Sequence, residues 1–505
     1  MDKVKGLLAT ISLAYKDAVP APRIITVLVL LAVLVASAIL IWGLGFSKVP
    51  GDSDSLHYLL STQAQVLATI LALVLTLSLL AGQLATRYAH RAFTQVFGWW
   101  WGPYLVLYIF GTAVPLFLLM GNFWLTGVRL SLLLAILCLA LLFPYFVVLK
   151  RRLSMEFIIG RLKETAISGY GTKPSYASRE NADSAVTILD NITMGAFQGH
   201  DLDSFDLAIH AMSSVAEDIA AQQTPNEASG PAYRIINRLN DTGLRVLDDP
   251  SAPSLVIAAL DELGRSLAHK HSSLSNDVSE ALKNLGESAA NKGREQVVSS
   301  TIHSLRSIGM ELLENGAEDV SLNLIYYHLR ILCAGASRQK LGDPAFHALG
   351  EIGQLGSNAC AHGRETSVHE ALSELSIMAR ILLDNDLVAS FREVAFAAGQ
   401  IGKSCITHSA NYPNLKSTAA DFQVADTLWN WATRSRSRWN DWDVNIAFLQ
   451  NLEALAVLPS GRPIVDRAYS SRRGVFQNAT TEGGLSESEL VAVLDQIKHE
   501  CDYGM

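Results

Sequence analysis

No Asp, Glu, Lys or Arg occurs in the runs 24–46, 58–86, 96–121 or 130–149. Proton relays and coupled transport place such groups within the bilayer, so their absence argues against a pump or antiporter. Cysteine is scarce: Cys138, Cys333, Cys360, Cys405 and Cys501 are scattered and form no CxxC. They read as reduced core thiols in a cytosolic compartment, which excludes a disulfide framework. No P-loop and no nucleophile elbow is present, so no enzyme chemistry is expected. Strand-like alternation of polar and apolar residues is missing too, which leaves an all-α chain.

Each uncharged run reaches the length that crosses a bilayer as a helix. The first is longer than a signal-peptide core and reads as a retained anchor. Basic residues sit at alternate ends. Lys3, Lys5, Lys16 and Arg23 precede the first run, Arg87 and Arg91 follow the second, and Lys150, Arg151 and Arg152 follow the fourth. The positive-inside rule then places both termini in the cytoplasm. Trp99, Trp100 and Trp101 fall at the inner interface, and Trp42 and Trp124 near the outer one. Residues 1–163 carry 13 Lys and Arg against 5 Asp and Glu, whereas the remainder carries 27 against 43. An acidic soluble part has no basic face for phosphates, so nucleic acid is not an expected partner.

The second run is polar along one edge. At about 100° per residue, Ser61, Gln65, Thr69, Thr76, Leu79 and Gln83 share one sector, and Arg87 and His90 continue it. Thr62, Gln63 and Ser78 lie at its margin or outside it. Two readings follow. The sector is glue between helices of one bundle, or it lines a pore repeated by homo-oligomer symmetry, with Leu79 as a dry constriction and Arg87 and His90 ringing the mouth. Pro115 and Pro144 remove helical donors for the carbonyls of Gly111 and Ala140. The first, beside Gly111 and Thr112, marks either a packed kink or a hinge.

After an amphipathic helix at 155–168 and a Gly/Ser/Pro-containing linker, a short phrase recurs: small–Leu–x–x–Leu–Gly. It reads ALDELG from Ala259, ALKNLG from Ala281, SLRSIG from Ser304, ALGEIG from Ala348, ALSELS from Ala371 and AAGQIG from Ala397. Weaker copies start at Ala211, Ile235 and His328. A spacing of about 23 residues is one helix and one turn, and two make a unit of HEAT or armadillo size. The expected organisation is a four-helix transmembrane domain (1–153), an amphipathic helix and linker (154–184), a cytosolic α-helical repeat array (185–458) and a tail ending in an amphipathic helix (459–505). Loops are expected at 221–231 and 460–474, with Ser254 capping a helix after Asp249-Pro250 and Ser486 with Glu489 forming a capping box.

The segment LRVLDDPSAPSLVIAALDELGRSL (244–267) and the second run, ending GQLATR, resemble corresponding segments of a bacterial membrane protein family known as domain of unknown function 2254. Asp248 stands where that family has Asn, and Ala85-Thr86 replaces Ser-Pro. The resemblance covers about 60 residues. It implies a multi-span protein of the bacterial inner membrane with a helical cytosolic part, and it carries no known chemistry.

Three further groups bear on function. Trp429, Trp431, Trp439 and Trp442 flank Arg434, Arg436 and Arg438. This is the composition of an interface hot spot for a cytosolic protein partner, or of a layer that closes the last repeat. Cys360 with His362, and Cys405 with His408, have zinc-ligand chemistry but fall at helix ends, where His caps carbonyls; no metal or cofactor is expected. The glycines of GEIGQLG (350–356) serve packing rather than phosphate. The functional expectation is an oligomeric channel-like pore lined by the second run and regulated by the array. The alternative is a membrane-anchored scaffold or sensor that recruits a protein partner.

Overall fold

The computed structural model describes residues 53–88, 101–120, 125–152, 154–171, 176–222, 225–408, 420–439, 442–456, 461–477 and 487–503. Among the described residues every regular element is helical and no strand occurs. The chain divides into two compact units, Met1–Arg161 and Leu162–Met505.

Unit 1 contains α1 (Ser53–Tyr88), α2 (Trp101–Met120) and α3 (Leu125–Arg152). Two segments, Asp54–Leu79 and Gly127–Val147, are long and apolar enough to cross a membrane by length and composition; Leu105–Met120 is a shorter apolar helix. The expected four spans are therefore reduced to two such helices among the described residues, and the run 24–46 lies outside them. α2 packs on both α1 and α3. Leu67, Tyr108, Ala135 and Cys138 form one buried cluster, and Leu60, Leu118 and Val128 another. A Cβ on Gly111 would stand 2.8 Å from Cys138 Sγ, so glycine here serves the close approach of α2 to α3. Pro115 lies inside α2, which continues past it.

Most of unit 2 is a stack of helices of nearly equal length. They are α4 (Met155–Tyr170), which crosses the unit boundary, α5 (Tyr176–Gln198), α6 (Leu202–Gln222), α7 (Pro225–Arg245), α8 (Ala252–Ala268), α9 (Ser272–Asn291), α10 (Glu295–Glu314), α11 (Asp319–Arg338), α12 (Gly342–Ala361), α13 (Glu365–Asp384) and α14 (Val388–His408). α15 (Ala420–Trp439), α16 (Trp442–Ala456), α17 (Gly461–Gln477) and α18 (Glu487–Tyr503) follow. From α6 to α14 each helix carries one copy of the repeated phrase. Each of them packs against the next helix and the next but one, so even-numbered helices form one layer and odd-numbered helices the other. This is the α-solenoid arrangement of helical pairs.

The phrase explains the stacking. In α8, Val256, Leu260, Leu263 and Leu267 recur every three to four residues and are buried. The closing glycine lets the following same-layer helix come near: a Cβ on Gly264 would lie 2.4 Å from Ile308 Cδ1. At Gly353 the neighbour is backbone, with Ala397 Cα only 2.7 Å from such a Cβ. Polar ties follow the same rhythm. Ser213 Oγ donates to Ala259 O across 46 residues, Asn276 Nδ2 to Ser321 Oγ across 45, and Ser404 Oγ to Ser357 O across 47.

Four local expectations are corrected. The 221–231 segment contains the start of α7, because Pro225 occupies a first-turn position that needs no donor. The 460–474 segment is largely α17. Asp249, not Ser254, closes the start of α8: its Oδ1 accepts from the amides of Ser251 and Ala252, and these two bonds hold the carboxyl below its ordinary pKa. Ser254 instead donates to Ser251 O. Finally, Cys360 and Cys405 are disulfide-bonded across α12 and α14, with Cα atoms 5.2 Å apart, so these two are not reduced thiols. Cys138 and Cys333 are free and buried. Ser486 of the expected capping box lies outside the described residues.

Candidate functional site

The polar row of α1 and its non-row polar residues part company in the structure. Gln63 Nε2 donates to Ser131 O at 2.7 Å and to Ser131 Oγ at 2.8 Å, joining α1 to α3. Ser78 pairs with the Tyr145 hydroxyl of α3 and also donates to Val74 O. Both Gln63 and Ser78 are buried. Both lie off the row.

The row itself is turned outward. Gln65, Thr69, Thr76 and Gln83 are exposed, Ser61 is half-buried, and Leu79 is 63% exposed. The hydroxyls of Thr69 and Thr76 donate to Gln65 O and Ala72 O in their own helix. That satisfies each donor and leaves hydroxyl lone pairs facing out. Arg87 lies in α1, but its side chain is outside the described set, as is His90 altogether. Sequence periodicity grouped the row on one edge of the helix, whereas Gln63 and Ser78 were missed as the tying pair because their partners, Ser131 and Tyr145, lie 68 and 67 residues away.

The Trp/Arg segment is divided by its position in α15. Trp429 is fully buried; its Nε1 donates to Val465 O at 3.2 Å and its ring meets Tyr469 edge-on. Trp431 is 4% exposed, packs edge-on against Phe391, and carries the Arg434 guanidinium 5.5 Å from its ring centroid. Arg434 Nε also donates to Asn430 Oδ1. Trp429 and Trp431 are thus core side chains of the last layers and present no face to a partner, which corrects that part of the hot-spot reading. Arg436, Arg438, Trp439 and Trp442 have side chains outside the described set.

The terminal helix α18 packs on α15, α16 and α17. Leu494 and Ile497 are buried beneath it, and Asp495 accepts from the Tyr469 hydroxyl at 2.6 Å and from Arg473 Nε at 3.0 Å. Among the described residues no group of three or more His, Cys, Asp or Glu is placed to hold a metal ion. His362 Nδ1 and His408 Nδ1 lie 2.9 Å from Asn358 O and Ser404 O, as capping rings do. Glycines 353 and 356 of GEIGQLG stand against Ala397 and Ile401 rather than around a phosphate site.

No family model matches the chain, and no curated protein does. Among solved structures, one similar chain is a circular tandem repeat protein with novel repeat topology and enhanced subunit contact surfaces; it is 10% identical, covers 69% of this chain and 95% of its own, with a TM-score of 0.31. Another belongs to work on a phosphorylation switch that controls the interaction between cadherin and beta-catenin; it is 14% identical, covers 70% and 92%, with a TM-score of 0.16. Both scores are low, and the repeat architecture rests on this chain's own packing.

Proposed function

We propose that the chain is an integral membrane protein that assembles with copies of itself around the polar face of α1, forming a channel-like pore whose state is set through the helical array. One observation carries this reading. The row Gln65, Thr69, Thr76, Leu79 and Gln83 faces away from α2 and α3, while Gln63 and Ser78 hold the unit together. A polar edge on a lipid-embedded helix is unfavourable unless it meets water or another helix. Copies of the same edge around an axis supply both. The exposed Phe110, Phe117 and Leu139 on α2 and α3 suit contact with lipid tails.

In this reading the array lies in the cytoplasm of a bacterium, with both termini on that side. The Cys360–Cys405 disulfide pulls the other way, since such bonds persist mainly in oxidising compartments. Alkylation of intact cells with a membrane-impermeant thiol reagent at a cysteine introduced on the exposed array surface, Gln339→Cys, sorts the two placements: protection until the cells are opened supports the cytoplasmic one and labelling of intact cells overturns it.

The pore is tested by single-cysteine scanning in liposomes. Positions 61, 65, 69, 76 and 83 should react with a water-soluble thiol reagent, and positions 63 and 78 should not. Uniform protection of the row removes the pore. Bilayer currents add a second readout: Leu79→Ser should raise conductance by widening and wetting a constriction. A membrane-anchored scaffold is the second reading, favoured by the two-layer array, whose stacked faces suit an extended protein ligand.

A further inference from the structure

One face of the even layer of unit 2 carries a column of histidines in a fixed register. The residue just before the repeated phrase is His210 in α6, His303 in α10 and His347 in α12. In two of these layers the imidazole reaches toward a carboxylate of the next even helix. His210 Nδ1 lies 3.5 Å from Glu262 Oε2 on α8, and His303 Nδ1 lies 3.7 Å from Glu351 Oε1 on α12. In α8 the register position holds Ala258 instead, and there the column is interrupted by a cavity.

The cavity has a volume of about 510 Å³ and is lined by α8, α10 and α12. Its floor includes Ile257 and Ile302, its near wall small hydroxyl side chains such as Ser254 and Ser300, and its rim Asp261, His303, His347 and Glu351. The size is that of a side chain or small-ligand site.

The polar groups around it are acceptor-rich. Asp261 Oδ2 takes Arg265 Nε at 3.1 Å, but Asp261 Oδ1 is buried with no donor. Glu351 Oε2 forms an ion pair with Arg306, whose Nε lies 2.9 Å away, while the separation of its Oε1 from His303 exceeds hydrogen-bond length. Burial raises the pKa of both carboxyls, against the lowering effect of the neighbouring arginines. Outside the rim the same layer is acidic, with Asp206, Glu217 and Asp218 on α6 and Glu262 on α8.

We propose that this cavity binds the basic side chain of a protein segment laid across α8, α10 and α12. A lysine or arginine there enters over Ala258, occupies the place that histidine holds in the flanking layers, and donates to the under-used oxygens of Asp261 and Glu351. The apolar floor takes the methylene stem, as it does wherever Lys and Arg bury their stems and keep their heads polar. A cation is preferred to an anion because the orphaned atom in the lining, Asp261 Oδ1, is an acceptor and Glu351 adds a second carboxylate, and a peptide is preferred to a free amine because the stacked helices offer a continuous track on either side.

This inference stands apart from the pore reading and is tested on the full chain in detergent. The probe is a dye-labelled Lys-Gly repeat peptide followed by fluorescence anisotropy, with its Glu-Gly counterpart and its lysine-acetylated form as controls. Wild type should bind the lysine peptide alone. Ala258→His restores the column and fills the entrance at an exposed helix position, so the fold is kept and the dissociation constant should rise at least tenfold. Asp261→Asn with Glu351→Gln should weaken binding similarly, with circular dichroism confirming that the helices remain. Glu217→Gln with Asp218→Asn, away from the cavity, should change binding less than twofold. Binding unaffected by Ala258→His, binding of the acetylated peptide as tight as the free one, or equal losses from the distant pair would each overturn the proposal. An absence of lysine-peptide binding to wild type would overturn it as well.

Discussion

The two units treat the same kinds of side chain in opposite ways. In unit 1, Phe117 and Met120 of α2 are 78% and 90% exposed, and among the described residues the small buried clusters are outnumbered by apolar residues facing outward. In unit 2, the leucines of the repeated phrase, such as Leu260, Leu282, Leu305 and Leu349, are fully buried, and exposed aromatics such as Phe346 and Phe396 are isolated. Apolar patches of the first kind are rare on surfaces that meet water. The difference teaches that hydrophobicity is presented outward in one unit and excludes water between helices in the other.

The strongest test of this contrast is separation. Residues 162–505 expressed alone should remain monodisperse and helical without detergent, whereas the full chain should aggregate once detergent is removed; size-exclusion chromatography with circular dichroism reads both. If the isolated unit 2 aggregates as well, the contrast fails.

Within unit 2, Trp429→Ala should cost about 3–5 kcal/mol of unfolding free energy, the range for emptying a large buried aromatic site, measured by denaturant titration. Breaking the Cys360–Cys405 bond by Cys405→Ser should cost about 2–4 kcal/mol, because its sequence separation of 45 residues closes a long loop. A smaller effect belongs to Glu393 on α14, whose carboxyl is pushed up to about 7 from an ordinary value of 4.5 by burial. The folded state then binds this proton more tightly than the unfolded chain. Its contribution is favourable at low pH and falls as pH rises between 4.5 and 7. Glu393→Gln should remove that slope, gaining about 1 kcal/mol at neutral pH once partial solvent screening is allowed for; melting curves across that pH range check it.

The smallest expected effect lies in unit 1. Gln63→Leu should loosen α1 from α3 by about 1 kcal/mol or less, seen as faster proteolysis in detergent. Gln65→Leu, two residues along the same helix, should leave that rate unchanged.

The repeat was legible because close helix packing forces small residues and glycine into fixed places, and a fixed place repeated is visible in one dimension. All nine phrase starts fall on nine successive helices for this reason. Residues 461–474 misled because Gly461, Arg462 and Pro463 look like a turn, yet Pro463 sits in the first turn of α17, where proline is tolerated. The cysteine pair was legible in principle: Cys360 and Cys405 are 45 residues apart, one helical pair, which puts them at the same register of adjacent same-layer helices. Reading compartment first and spacing second hid that. That the row shares one edge of α1 followed from periodicity alone. That Gln63 and Ser78, not the row, tie the helices did not follow, since periodicity orders residues around one axis but does not say which side the neighbours occupy.

The rhythm of ties between residues about 46 apart, from Ser213 to Ala259 and from Ser357 to Ser404, has a consequence for biosynthesis. Helices between α6 and α14 pack chiefly on those one and two places before and after them, so burying an apolar stripe calls on no distant stretch of chain. Loop-closure cost stays small at every step, as low contact order requires. The array can therefore be laid down in the order it leaves the ribosome, each new helix settling onto a finished edge.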